Sequence, residues 1–203
     1  MYAVIRQYSA VRGDVDEMLR IVRETFVPMV RSIPGFMQYG IGVGDEGGLA
    51  SVGIFENESG ADDSTRKSAA FVQSQFASLL PAPRIAKGPV VFSERREESP
   101  MRFGVIRRIK IDDRVSEEVG AKARAELIPM LKRSPGFSSH LIVDPGDGTI
   151  LALTAYADRT SRDEGIEITR DWRAKNIAHL VPEPEVFKAE IKLLVMSTAA
   201  TTA

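Results

Sequence analysis

The chain has 203 residues, 43% of them hydrophobic, with 27 Lys and Arg against 28 Asp and Glu; that composition suits a globular protein with one large core or two small ones. The near-balanced charge gives no field that would draw nucleic acid or an anionic membrane as a partner. The absence of cysteine excludes disulfides, thiolate catalysis, cysteine-ligated zinc and cysteine-held iron–sulfur clusters.

The elements read in chain order as follows. Residues 2–9 (YAVIRQYS) form a short β-favouring run. Val15, Met18, Leu19, Val22, Phe26, Met29, Val30 and Ile33 then fall on one stripe of a 3.6-residue period, which predicts a long amphipathic helix. Pro28 lies inside it and should bend or break its last turns, and Pro34-Gly35 ends it. MQYGIGV, the turn GDEGG and LASVGIFEN read as a hairpin with glycine supplying positive φ. A second helix from about residue 62 to 80 stops at Pro-x-Pro, and a last strand covers roughly 88–94.

ERREESPM, at 94–101, looks like a connection, and the same order then begins again. Residues 102–110 (RFGVIRRIK) form a strand, and Val119, Ala123, Leu127, Met130 and Leu131 form a sparser helical stripe with Pro129 inside it. SSHLIVD, PGDG and ILALTAYAD make a hairpin, a helix runs from about 162 to 181, and a strand covers 189–196. FVPMVRSIPGF at 26–36 returns as LIPMLKRSPGF at 127–137, and Pro28 and Pro129 set the offset at 129 − 28 = 101. At that spacing AVIR meets GVIR, Asp62 meets Asp163, and PAPRIAK meets PEPEVFK.

The order β-α-β-β-α-β, written twice, predicts an α+β protein of two ferredoxin-like repeats, 1–97 and 98–203, the second ending in a frayed STAATTA tail. Each such sheet covers one face with helices and leaves the other bare. Two can cover each other, so the duplication is expected to fuse a dimer into one chain, an intramolecular dimeric α+β barrel. With no apolar stretch long enough for a leader or a membrane span, the expected compartment is the cytoplasm.

The opening YAVIR, the helix running into PGF, the hairpin and the second helix before the last strand resemble the dimeric α+β barrel superfamily, specifically tandem antibiotic biosynthesis monooxygenase-like domains. The resemblance covers almost the whole chain. It implies a cofactor-independent monooxygenase acting on, or binding, a small aromatic compound, with no cofactor required. The alternatives are a non-catalytic small-molecule-binding or oligomerising module and a haem-degrading monooxygenase. The fused chain is also open to pairing again as a homodimer.

Six residues are ligand-binding candidates; none has an assigned catalytic role. Arg6 and Arg107 sit in the first strands, where a guanidinium must find a partner or face a wet cavity. The plain reading is an ion pair with Asp62 or Asp163; the functional one is a clamp for a carboxylate or phenolate. Tyr39 and His140 hold equivalent positions in the second strands, and a histidine there could act as a base near neutral pH or simply be hydrogen-bonded. Trp172 and His179 are seven residues apart, about 20° short of two helical turns, and thus share a side, but not the side of Ile166, Ile177 and Val181. Haem-degrading relatives use a tryptophan and a downstream histidine near this region with a first-strand asparagine, which this chain lacks. Metal ligation by His140 and His179 has no support from spacing. Gly42 to Gly47 matches G-x-G-x-x-G, but the strand after it predicts a turn and not a dinucleotide site. Of the two repeats, the second is favoured as the home of any site.

Overall fold

The computed structural model describes residues 1–197; the expected frayed tail lies outside the described residues apart from Ser197. In chain order the first elements are β1 (Tyr2–Tyr8), α1 (Val15–Ile21), a π-helical stretch (Val22–Phe26), α2 (Val27–Arg31), β2 (Phe36–Gly44), β3 (Leu49–Phe55), α3 (Glu58–Gln75) and β4 (Arg84–Arg95). The order then repeats with β5 (Phe103–Lys110), α4 (Asp113–Lys122), a second π-helical stretch (Ala123–Leu127), α5 (Ile128–Arg133), β6 (Phe137–Val143), β7 (Thr149–Tyr156), α6 (Arg159–Asn176) and β8 (Glu185–Met196).

The chain divides into two compact units. One is Met1–Val90 joined, among the described residues, by 189–197; the other is Val91–Lys188. In the first unit the antiparallel order is β4-β1-β3-β2-β8, with Tyr39 opposite Val195 across the last pair. In the second, β7 lies between β5 and β6, again antiparallel. Within each unit the spacing of 101 reaches into irregular detail. The π-helical stretches start at Val22 and Ala123, β2 and β6 bulge between Phe36/Gln38 and Phe137/Ser139, and Asn57 and Asp158 cap α3 and α6 through their side chains.

The prolines act as expected in kind but through a specific device. Pro28 has no N–H and its ring would crowd the carbonyl one turn back. The helix accommodates it by widening just before it, so that the Val27 N–H reaches Val22 O, an i→i−5 bond. Ile128 N–H reaches Ala123 O in the same way ahead of Pro129. The second helices differ from the sequence expectation at both ends, running 58–75 and 159–176 instead of 62–80 and 162–181. Asn57 and Asp158 accept the N–H groups of Gly60 and Ser161 and so start each helix early. At the other end, Phe76 and Ile177 leave helical geometry at φ −134° and −137°. The last strands start earlier than expected, at Arg84 and Glu185, and β4 runs on to Arg95, one residue past the expected strand end and into the expected connection.

In the first unit the core lies between the sheet and the helices. Val4 and Tyr8 of β1, Phe26, Tyr39, Phe55 and Phe71 meet there, with the Phe26 ring 5.3 Å from Tyr39 and 5.0 Å from Phe71. The core of the second unit gathers Val119, Leu127, Leu131, Phe137, Trp172, Ile177 and Val181. Of the second helical stripe, Met130 is exposed and Ile128 is buried in its place, because the π-helical stretch shifts the register by one residue. GDEGG is a turn, as the strand after it requires. Gly44 N–H bonds to Gly48 O, and Gly47 and Gly48 have φ of 92° and 76°.

Candidate functional site

Alternation along β1 places Val4, Arg6 and Tyr8 on the face that packs against the helices. Arg6 is only 1% exposed. Its Nη2 donates to Ser64 Oγ at 3.3 Å and to Thr65 Oγ1 at 3.2 Å, both on α3 and both uncharged. Nε and Nη1 have no hydrogen-bond partner among the described residues. Asp62, the partner the plain reading offered, is engaged elsewhere: it accepts from Lys87 at 2.7 Å, and Glu58 joins the same ammonium. The titratable neighbours of Arg6 are Tyr8 and Tyr39. Burial raises both phenols, Tyr39 to about 12, against the opposing pull of the Arg6 charge, so neither supplies an anion at neutral pH. The guanidinium is therefore a buried cation without a counter-charge, and burial lowers its pKa.

Arg6 forms part of the wall of a cleft of about 400 Å³ in the first unit. Tyr8, Ser68 and Leu80 join it at the buried end; Ala69 and Gln73 of α3, Ala77 and Pro81 from the segment after it, and Ile85 at the start of β4 form the exposed rim. The lining is mostly apolar, with hydroxyls from Tyr8, Thr65 and Ser68. Behind it lies a second space of only about 30 Å³, sharing Tyr8, Ser68, Val72 and Leu80 with the cleft and otherwise walled by residues such as Phe26, Tyr39 and Phe71. The aromatic cluster thus fills most of the room between helices and sheet and leaves the cleft at its edge.

Arg107 occupies the equivalent place in β5 and is likewise buried, with Nη2 lacking a hydrogen-bond partner among the described residues. Asp163 does not reach it in an ion pair; that carboxylate pairs with Arg162. Around Arg107 the tyrosine of the first unit is replaced by His140, whose Nδ1 lies 2.9 Å from Thr154 Oγ1 and whose ring stands 6.1 Å from that of Phe92. Burial, aided by the Arg107 charge, pushes the His140 imidazole down to about 4, so it is neutral at physiological pH. Tyr156, fully buried, completes this group, and burial raises its phenol.

Trp172 and His179 do not come together as a pair. Helix α6 ends at Asn176, so the seven-residue spacing is not carried by a helix, and His179 is exposed in the turns that follow. Trp172, which the angular reading put away from the core, is buried in it beside Ile177 and Val181, its Nε1 donating to Glu126 at 2.8 Å. Those two core residues lie past the helix end, where 100° per residue no longer applies. The pair that carries the haem reading therefore does not form a haem-binding constellation. Among the described residues no three His, Asp or Glu side chains group as a metal site.

Sequence reasoning did not single out Ser64, Thr65 and Ser68 within the second helix. Their signal is the spacing: three hydroxyls at i, i+1 and i+4 on one side of α3 face an arginine in a central strand. The sequence favours the second repeat as the home of a site, whereas the cleft lies in the first unit.

No protein-family model matches the chain, and no curated protein sequence matches it. Solved structures do match in fold. A proposed monooxygenase of Lactobacillus acidophilus superposes with a TM-score of 0.74 at 13% identity, covering 96% of this chain and 95% of that one. A second, from Fusobacterium nucleatum, gives 0.74 at 12% identity over 97% and 94% of the two chains. An anthrone oxidase-like protein gives 0.67 at 12% identity over 100% and 95%. At these identities the likeness is one of fold.

Proposed function

We propose that the chain is a monooxygenase-like protein that binds a small aromatic compound in the cleft of the first unit. The observation that carries this reading is the cleft itself, a largely apolar recess of about 400 Å³ with a few hydroxyls and one guanidinium at its buried end. The neighbours' names support an oxidative role. In a cofactor-independent oxygenation the substrate supplies all the electrons: an activated aryl methylene and O₂ give a ketone and water, with one oxygen atom going to each product. The protein then contributes a dry cavity and an oriented substrate.

A second reading has its own observation. The cleft lining includes Arg6 and Tyr8 but no carboxylate and no imidazole, so it offers no side chain suited to act as a base near neutral pH. On that ground binding without turnover is the alternative. Oxygen uptake with a panel of anthrones, quinols and phenols separates the two. Substrate-dependent uptake with matching ketone or quinone formation supports the enzyme; saturable binding without uptake supports the binding module; no binding by any member refutes both.

The same reading treats 1–97 and 98–203 as copies of one ancestral domain whose sheets pair as an intramolecular dimer, in a cytoplasmic protein that can assemble again as a homodimer. The agreement of caps, bulges and π-helical stretches at one spacing supports the duplication. No described helix is long and apolar enough to cross a membrane.

A further inference from the structure

Building on the reading of the first-unit cleft as a small-molecule site, we infer that the cleft selects for negative charge: its ligand carries a single oxyanion, carboxylate or phenolate, on a flat apolar body, and Arg6 is the anchor. The argument starts from what a folded chain tolerates. A guanidinium stays protonated in proteins, and a buried one is retained at a cost unless a counter-charge and hydrogen bonds satisfy it. Here Nη2 has two long bonds to hydroxyls, and the two other nitrogens have no acceptor among the described residues. Among the described residues no carboxylate pairs with it: on α3, Glu58 and Asp62 are held by Lys87, and Asp63 by Arg66 and Lys67. The unmet charge forms part of the wall of a cleft large enough for two fused rings, and the rest of that lining is mostly apolar, with a few hydroxyls and the Gln73 amide.

The Ser64 and Thr65 contacts fix the plane of the guanidinium. The Thr65 hydroxyl also donates to Ala61 O at 2.9 Å, so its oxygen is oriented as an acceptor toward Arg6. These residues position the arginine. An oxyanion entering the buried end would take up the donors that the protein leaves unpaired. A neutral molecule of the same shape would leave them as they are, and its binding would rest on apolar contact alone. A charge-assisted hydrogen bond of about 1.5–3 kcal/mol corresponds to a selectivity of roughly 10- to 100-fold.

The test uses the whole chain and isosteric probes: 2-naphthoate against 2-naphthamide for the carboxylate, and 4-nitrophenolate against 4-nitroanisole for the phenolate, with calorimetric titration as the readout. The expected result is at least tenfold tighter binding of one anion over its neutral partner, with that gap closing in Arg6→Met while the neutral probe binds as before. Which anion wins identifies the source of the charge. Equal binding of anion and neutral partner by the native chain overturns the inference and leaves the cleft reading standing; absence of binding by all four probes overturns both. A gap that survives in Arg6→Met places the selecting charge elsewhere and also overturns it. Should Arg6→Met not fold, Arg6→Gln keeps polar donors at this position but loses the charge, and it is expected to lose the anion preference; an unchanged preference would remove Arg6 as the anchor.

Discussion

Replacing Arg6 with methionine should make the ligand-free protein more stable. The side chain is 1% exposed, and Nε and Nη1 are buried without partners. Each unsatisfied buried donor costs about 1–3 kcal/mol, and more when the group is charged. Against that gain stand the two bonds from Nη2 to Ser64 and Thr65, at 3.3 and 3.2 Å, each worth no more than about 1 kcal/mol net. Methionine keeps the unbranched apolar stem that packs beside Val4 and Tyr8, and the volume it gives up opens toward the cleft instead of creating a closed void. The balance is a stabilisation of about 1–3 kcal/mol, in line with what replacing buried charges by apolar residues delivers. For a chain of this length that raises Tm by roughly 2–10 °C. Scanning calorimetry and urea unfolding of the two proteins without ligand measure it directly. A fall in Tm of comparable size would show that the guanidinium is satisfied in the folded state, which would refute the account of an uncompensated charge.

Other expectations follow from single contacts. His140 has a folded-state pKa near 4 against about 6.5 unfolded, so the unfolded chain binds the extra proton first. Stability is complete above pH 6.5, falls as the pH drops toward 4 by up to about 3 kcal/mol, and is flat below that as far as this residue is concerned; His140→Gln should flatten that slope in urea midpoints measured between pH 7 and 4. A Cβ at Gly165 would overlap the buried Tyr156 hydroxyl, so Gly165→Ala should cost at least about 1–3 kcal/mol. Tyr156→Phe in the same chain should recover part of that loss, and failure to do so would mean that the helix clashes elsewhere. Phe71→Ala, which removes a ring packed on Phe26 and Phe76, should destabilise by about 3–5 kcal/mol in chemical denaturation.

The repeat was legible because it is written in residues whose backbone requirements are strict. Proline inside a helix, Pro-Gly at its end and a glycine in the hairpin turn all constrain φ, and Pro28/Pro129, Gly35/Gly136 and Gly47/Gly148 recur at the same spacing. Element types and order followed from periodicity. Helix ends did not, because Asn57 and Asp158 act as caps several residues before the first apolar position that periodicity registers. Arg6 and Arg107 stood out because a charge in a central strand is anomalous whatever surrounds it. Their surroundings could not be read from sequence: Asp62 and Asp163 lie on α3 and α6 but are taken by Lys87 and Arg162. Trp172 was misread for a related reason. A helical wheel extended past the true end of α6 assigned faces to Ile177 and Val181 that no helix carries.

The pairing of β2 with β8 within the first compact unit has a consequence for the order in which the molecule can be made. The β2 edge from Gln38 to Gly44 receives its partner from residues Ala189 to Met196, so some 145 residues (189 − 44 = 145) must leave the ribosome in between. At about 5–20 residues per second that is a delay of roughly 7–30 s. During that interval a row of backbone donors and acceptors along β2 waits unpaired, a period in which a nascent chain is exposed to mispairing and to chaperone capture.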